Sequence, residues 1–345
     1  MRITDLTPQQ TEQLNGTHPT AVASSATDLP FYRTLGRTNL TVSCLGLGGG
    51  SGISSDDALY AFDQGINYFF YSSDLHHFIY SFMGGAIRQL CRRGSSVREK
   101  VVLATVTYIK SPEMALGALF DQFEELGIDY IDIFFWGWIG TDDDPMFKKC
   151  LQLSPDLRGT NTVYQRTVER IYGASERLKK MGAVRYIGAS FHDLDLAQQY
   201  LDSDLLDVVM VRHSLAHRSA QHKVFNCLNA TDSDRPGIVT FRSTTAQSGP
   251  LWIAPHFPQT YWQPSPPDLY RYSLSQNCVD VCLMGSRDRH EIDAAIKGVQ
   301  QGKLTNTEIE YLNYYGDIHR QRLSLQDIPP DKLIYQPRSV VSKVN

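Results

Sequence analysis

At 345 residues with 42% hydrophobic content, the chain is long enough to bury a large core, and one α/β barrel of ~250 residues or more fits it as well as two domains would. A formal charge of −4 without any block of Lys or Arg gives no nucleic-acid footprint, and no apolar run approaches the roughly 20 residues of a membrane helix. Met1-Arg2-Ile3-Thr4-Asp5 lacks the charged-then-apolar order of a signal peptide, and the six cysteines (Cys44, Cys91, Cys150, Cys227, Cys278, Cys282) form no CxxC pair, so a cytoplasmic protein with reduced, mostly buried thiols is expected.

Residues 1–29 are rich in Thr, Gln, Ser and Ala without a sustained apolar period, which predicts a mobile leader. From Thr41 onward, short β-branched or aromatic runs alternate with longer amphipathic stretches, the order of parallel strands joined by crossover helices. Strands are expected at 42–47, 66–71, 101–106, 130–136, 184–189, 207–212, 237–242 and 279–284. Eight such strands, apolar on both faces, suit a closed (β/α)8 barrel occupying residues 30–323 as a single domain.

The helices carry ordinary boundary signals. Ser111-Pro112-Glu113 supplies a cap, a proline in the first turn and an early acid for a helix running to Leu126. Lys179 and Lys180 suit the end of a helix over 163–181, and Gly182 terminates it. Asp193 reads first as the cap of a helix beginning near Leu194, with a catalytic role as the alternative. Two insertions, 140–161 and 244–267, follow the fourth and seventh strands on the face where barrel enzymes place their sites. The second carries Trp252, Phe257, Tyr261 and Trp262 among prolines, and reads either as a substrate wall or as an aromatic loop laid on the barrel rim. A last helix over 308–320 precedes a proline-containing tail, 324–345, expected to lie over the surface or onto a partner.

Several segments resemble the aldo-keto reductase superfamily over roughly residues 31–320. They are Tyr32-Arg33-Thr34-Leu35-Gly36-Arg37-Thr38, the turn Leu45-Gly46-Leu47-Gly48-Gly49, Gly65-Ile66-Asn67-Tyr68-Phe69, and the run from Gly182 to Ser190. The resemblance implies a TIM barrel of that type, with long loops on the C-terminal face and an NADP(H) cofactor. It also implies a tetrad of Asp, Tyr, Lys and His, and here the matching positions are Phe70, Leu75, Val106 and Gly137. Without the lysine and the aspartate a tyrosine keeps its pKa near ~10, and general acid catalysis by it falls away. At the nicotinamide end Ser190 matches, but the family's Asn, Gln and stacking aromatic become Phe191, Met210 and His213. At the adenosine end Gly285-Ser286-Arg287 resembles the 2′-phosphate clamp, so Ser190, Ser286 and Arg287 are the expected cofactor residues, with Glu291 and Ala295 in place of the adenine-side Gln and Asn.

Other groups fill the C-terminal strand ends. Asp74, His76 and His77 follow the second strand, His192 and Asp193 the fifth, and Arg212, His213 and His217 the sixth. A barrel brings these to one mouth, where Asp74, His76, His192 and His217 would hold a divalent metal such as Fe or Zn. Without metal, the same set would shuttle protons near neutral pH, or the histidines are structural. The expected catalytic group is Asp74, His76, His192, His213 and Arg212; Arg212 and Arg242 hold an anionic substrate group or form rim ion pairs. Three functions remain in view: metal-assisted redox tailoring of a small molecule or peptide, an NADPH-dependent reductase with its proton donor moved to His76, His77 or Tyr80, and a non-catalytic nucleotide-sensing subunit. Homo-oligomerisation is left open.

Overall fold

A computed structural model describes residues 29–72, 77–109, 111–139, 161–246, 249–253 and 257–335. The chain opens with an antiparallel hairpin of β1 (Tyr32–Thr34) and β2 (Thr41–Ser43). Leu35, between them, is fully buried against Gly237 at the base of the barrel. The first expected strand therefore divides: residues 41–43 pair in the hairpin, and the barrel begins after Cys44 with β3 (Leu45–Gly48). Asn67 fixes this junction, accepting the Ser43 amide at 2.7 Å and donating to the Thr41 carbonyl at 2.9 Å.

The other barrel strands lie within a few residues of their expected places. They are β4 (Tyr68–Tyr71), β5 (Val102–Thr107), β6 (Ile131–Ile139), β7 (Val184–Phe191), β8 (Val208–Arg212) and β9 (Gly237–Phe241). After the two-residue pair β10 (Thr245–Ala246) and β11 (Gly249–Pro250) comes β12 (Val281–Met284). The eight close in the order β12-β3-β4-β5-β6-β7-β8-β9, every neighbour parallel. The helices are α1 (Ser55–Asp63), α2 (His77–Arg92), α3 (Ser95–Arg98), α4 (Pro112–Leu126), α5 (Asn161–Lys180) and α6 (Leu194–Gln199). They continue with α7 (Ser219–Lys223), α8 (Pro266–Leu274), α9 (Arg289–Val299) and α10 (Asn306–His319). None of the described helices is long and apolar enough to cross a membrane.

Capping follows the sequence with one change. The Asp193 carboxylate accepts the Asp195 and Leu196 amides at 3.0 and 3.1 Å, so it caps α6. Thr305 and Glu308 form a reciprocal box at the start of α10. Ser111 precedes α4 but turns its hydroxyl to the Glu113 carboxylate at 3.0 Å and caps no amide. Gly182, at φ 71°, ends the turn after α5 as expected.

Register decides which side chains enter the barrel, because parallel partners share a face and alternate residues change face. Trp136 points outward, its indole donating to Ser175 Oγ of α5 at 2.9 Å. Phe135 points inward, and a Cβ on its partner Gly188 would collide with its ring. Following the ladders, Phe70, Val106, Ser190, Met210, Arg212 and Phe241 are inward, while Phe191, Val211 and His213 are outward. At the N-terminal end three aspartates tie neighbouring strands together. Asp132 takes Arg98 and Arg185, both at 2.9 Å, and the Leu103 amide; Asp280 takes Arg235 in a fork and the Ile238 amide; Asp207 takes Lys179 and the Ile187 amide. This end is built for cohesion.

The aromatic insertion forms part of a second core with α10 and the chain that follows it. Trp262 stacks on Tyr311 at 5.5 Å, Phe257 meets Tyr315 at 4.9 Å, and Tyr261 meets Tyr335 at 5.1 Å. The Trp262 amide donates to Ile334, so the tail as far as Tyr335 lies over this loop. Phe257 is buried in this second core and Tyr261 and Trp262 are half-buried against it, so all three pack on α10 and the tail as the rim-packed alternative has it. Of the cysteines, Cys44, Cys278 and Cys282 are buried, Cys91 is half-buried, Cys227 is exposed, and Cys150 lies outside the described residues.

Candidate functional site at the C-terminal mouth

Three positions that match the reductase tetrad are described, and all three are packed. Phe70 is buried and meets Phe135 edge-on at 6.1 Å, and Val106 is buried on the next strand. At Gly137 the space for a histidine side chain is taken by Tyr108, whose ring carbon would stand 2.5 Å from a Cβ there. Leu75 lies outside the described residues. Burying Phe and Val where a charged pair would sit leaves no orphan charge, so the exchange is one a fold tolerates well.

Above this layer runs an aromatic rim. Tyr108 contacts Trp138 at 4.4 Å, Trp138 approaches His192 at 6.4 Å, and His192 meets Phe241 edge-on at 5.9 Å, joining the ends of β5, β6, β7 and β9. Trp138 adopts φ 52°, a left-handed conformation costly for a residue with a Cβ, where the β6–β7 register slips between Trp136 and Ile139. Neither Tyr108 nor Trp138 was singled out from sequence, although a glycine between two tryptophans at a strand end is a bulge signal. Tyr80, an alternative proton donor, is buried beside Gly49 and meets Tyr71 at 5.9 Å.

The histidines separate. His192, one residue past β7, is exposed and meets Phe241. His213 is fully buried on the outward side: its Nδ1 meets Ser273 Oγ at 2.9 Å, its Nε2 meets the Gln221 amide at 3.2 Å, and its ring stacks on Tyr272 at 5.5 Å. Burial, with Arg218 nearby, pushes its pKa down to about 3. His213 therefore neither lines the mouth nor moves protons near neutrality, because its strand parity turns it into the helix layer. His217 is half-buried, 3.4 Å from Ser214 Oγ, and held neutral with a pKa of about 4 by burial and by Arg212, Arg320, Arg322 and Arg242. Asp74 and His76 lie outside the described residues, and His77 is the first residue of α2. Among the described residues no three His, Cys, Asp or Glu side chains gather as a metal site, so His192 and His217 form none by themselves.

The nicotinamide end does not fit a dinucleotide in the family's manner. Met210 is apolar and buried, Phe191 faces outward, His213 is pinned in the helix layer, and Ser190 Oγ already accepts the Trp138 amide at 3.0 Å. The adenosine end is partly kept: Ser286 is buried and Arg287 exposed, but the guanidinium is bound by Glu291 at 2.8 Å, and Glu291 also accepts the Arg287 amide at 2.9 Å. The residue replacing the adenine-side Gln thus occupies the clamp arginine.

Arg212, inward at the end of β8, has buried Nε and Nη2 atoms with no hydrogen-bond acceptor. Burial, then Arg242 and Arg320, lower its pKa. The rim ion-pair alternative does not describe it, for no carboxylate among the described residues pairs with it.

The aldo/keto reductase family model matches residues 55–246, just over half the chain. Among solved structures, the holo form of aldo-keto reductase AKR11C1 from Bacillus halodurans superimposes with a TM-score of 0.63 at 20% identity, covering 82% of this chain and 95% of its own. Its apo form gives 0.57 at 21% identity with the same coverage. The PA4992 protein from Pseudomonas aeruginosa gives 0.55 at 17% identity, covering 80% and 97%. None of the curated proteins compared with the chain matches it by sequence.

Proposed function

The chain belongs to the aldo/keto reductase family, and we propose that it is an enzyme whose mouth has been rebuilt for proton transfer by His192 in place of the family's tyrosine. The observation that carries this reading is the seat of His192: exposed, two residues beyond Ser190, between Trp138 and Phe241. An imidazole exchanges protons near neutral pH, and an aromatic seat limits its orientations without removing it from solvent. Packing at Phe70, Val106 and Gly137 supports the same reading, since the Asp, Lys and His that would flank the older acid have no room to return. Because the nicotinamide end does not fit, NADPH-dependent reduction of simple aldehydes and ketones is expected to be absent.

The metal-assisted redox form of this proposal adds Asp74 and His76 to His192, with a small molecule or peptide as substrate. Protein purified without chelator would carry close to one iron or zinc per chain, and His192→Ala would lower that content. Metal-free protein that turns over fully leaves the metal-free acid–base form. Turnover of generic carbonyls with NADPH at ordinary reductase rates would sink both.

A second reading, a nucleotide-binding subunit without turnover, is favoured by one observation: the reacting half is filled while Ser286 and Arg287 are kept. Tight NADP(H) binding with no turnover unchanged by His192→Gln would support it over the first.

A further inference from the structure

We infer that the β8–β9 side of the mouth is a binding site for a doubly charged oxyanion, the phosphate group of a small organic phosphate ester, gripped by Arg212, Arg242 and Arg320. The inference shares with the proposed function only the location of the ligand at the mouth. Arg212 supplies the first ground. Arg212 is half-buried, but its buried Nε and Nη2 donate to nothing among the described residues, and such atoms carry an uncompensated desolvation cost. Arg33, Arg37, Arg98 and Arg235 also leave one nitrogen without an acceptor, but each binds a carboxylate or carbonyl through its others. Arg212 leaves two and makes no hydrogen bond among the described residues.

The second ground is missing counter-charge. Arg242, one residue past β9, is exposed and takes φ 56°, a left-handed conformation that disfavours a side chain with a Cβ. Arg320 is tied by its Nη1 to the Ala216 carbonyl at 2.8 Å and has no carboxylate partner among the described residues. The neighbouring carboxylate, Asp317, is already forked by Arg218 at 2.7 and 2.9 Å, leaving Arg322 at 3.8 Å. In a chain with a net charge of −4, a cluster of arginines without acids is a local reversal. Cations at the end of α10 suit that helix's dipole, which accounts for Arg320 and Arg322 but not for Arg212 and Arg242, which come from strand ends.

The third ground is that the fold brings α10 there. Gly316 lies so close to the Leu215 carbonyl that a Cβ would collide with it, and Arg218 also donates to the Asn313 carbonyl at 2.8 Å. These contacts fix the last turn of α10 beside the loop after β8. Planar guanidinium forks match phosphate oxygens in pairs. Phe241, the ladder partner of Arg212, and His192 continue the patch into the aromatic rim, which suits a ligand with an apolar body beside its phosphate.

The test is titration of the full-length protein with inorganic phosphate, followed by calorimetry and thermal denaturation, against chloride at equal ionic strength. Phosphate is expected to bind with a Kd of roughly a millimolar or tighter. Arg212→Met and Arg320→Ala should each weaken it about tenfold or more, and Arg93→Met, at a distant surface pair, should not. Phosphate-free Arg212→Met should melt higher than the wild type, because it removes two buried donor atoms without acceptors; Arg320→Ala, at an exposed position, keeps the test open should the first variant misfold. His192→Gln should retain phosphate binding even where activity is lost, which separates this inference from the proton-transfer reading. Absence of a phosphate-specific effect overturns it, as does an equal loss in Arg93→Met. Direct competition between phosphate and NADP+ would also overturn it, assigning the arginines to a dinucleotide's own phosphates.

Discussion

The amide of Trp138 donates to Ser190 Oγ at 3.0 Å, and this bond ties a left-handed tryptophan on β6 to the neighbouring strand β7. Ser190 is the residue through which the sequence resemblance implies a cofactor contact, and here its oxygen holds backbone instead. The strained turn and the aromatic rim above it depend on one another: without an acceptor, the Trp138 amide would have to find water or move.

Ser190→Ala should therefore destabilise the protein by about 1–3 kcal/mol, the cost of orphaning a partly buried amide. Urea unfolding would read the loss, and tryptophan emission from the folded state should shift as the Trp138 ring leaves Tyr108. A folded-state spectrum identical to wild type would mean that the rim does not rest on this bond.

Gly137→Ala tests the filled histidine position. Its Cβ would meet Tyr108 at 2.5 Å and the Thr107 carbonyl oxygen at 2.9 Å, so overpacking should cost about 1–3 kcal/mol. Because one obstacle is side chain and the other backbone, adding Tyr108→Ala should recover only part of that loss. Strict additivity in the double variant would show that the two residues do not share this space.

Much of the barrel was legible because its strands are buried on both faces and read as unbroken apolar runs between turn signals. What escaped was set by pairing geometry. The split at Cys44 depends on the Asn67 side chain gripping Ser43 and Thr41, a contact with no local signature. His213 looked like a mouth residue by position alone, yet alternation from Met210 and Arg212 turns it outward onto Tyr272. Arg320 could not be read as part of the mouth, since only the approach of Gly316 to Leu215 brings it beside Ala216. Phe70, Val106 and Gly137 could be placed from sequence because each lies on a strand with a recognisable apolar run.

Glu291→Gln frees Arg287 from a carboxylate that competes with any incoming phosphate. The pair is exposed, so its own strength is small and solvent-screened. Removing a negative charge beside a 2′-phosphate adds to the gain, and NADP+ affinity should rise about three- to tenfold. NAD+ affinity, measured alongside by fluorescence quenching, should change little. If neither nucleotide binds the wild type or the variant, the clamp sequence has lost its role.

His213 sets a pH dependence of stability. In the unfolded chain its imidazole takes up a proton near the ordinary value of 6.5, whereas the folded protein holds it neutral down to about 3. Between those values the unfolded state binds more protons, so stability should be complete above about pH 6.5 and fall steadily as the pH drops toward 3. His217, at about 4 in the fold, contributes in the same direction over a narrower range, so the comparison belongs in a His217→Asn background. There, His213→Phe should flatten the slope between pH 6.5 and 4. At neutral pH it should cost about 1–3 kcal/mol, the worth of the contacts to Ser273 and Gln221, each of which keeps another partner. Chemical denaturation at half-unit pH steps would measure both effects. An unchanged slope would mean that the ring is protonated in the folded protein and that its buried, stacked seat on Tyr272 does not exclude the charge.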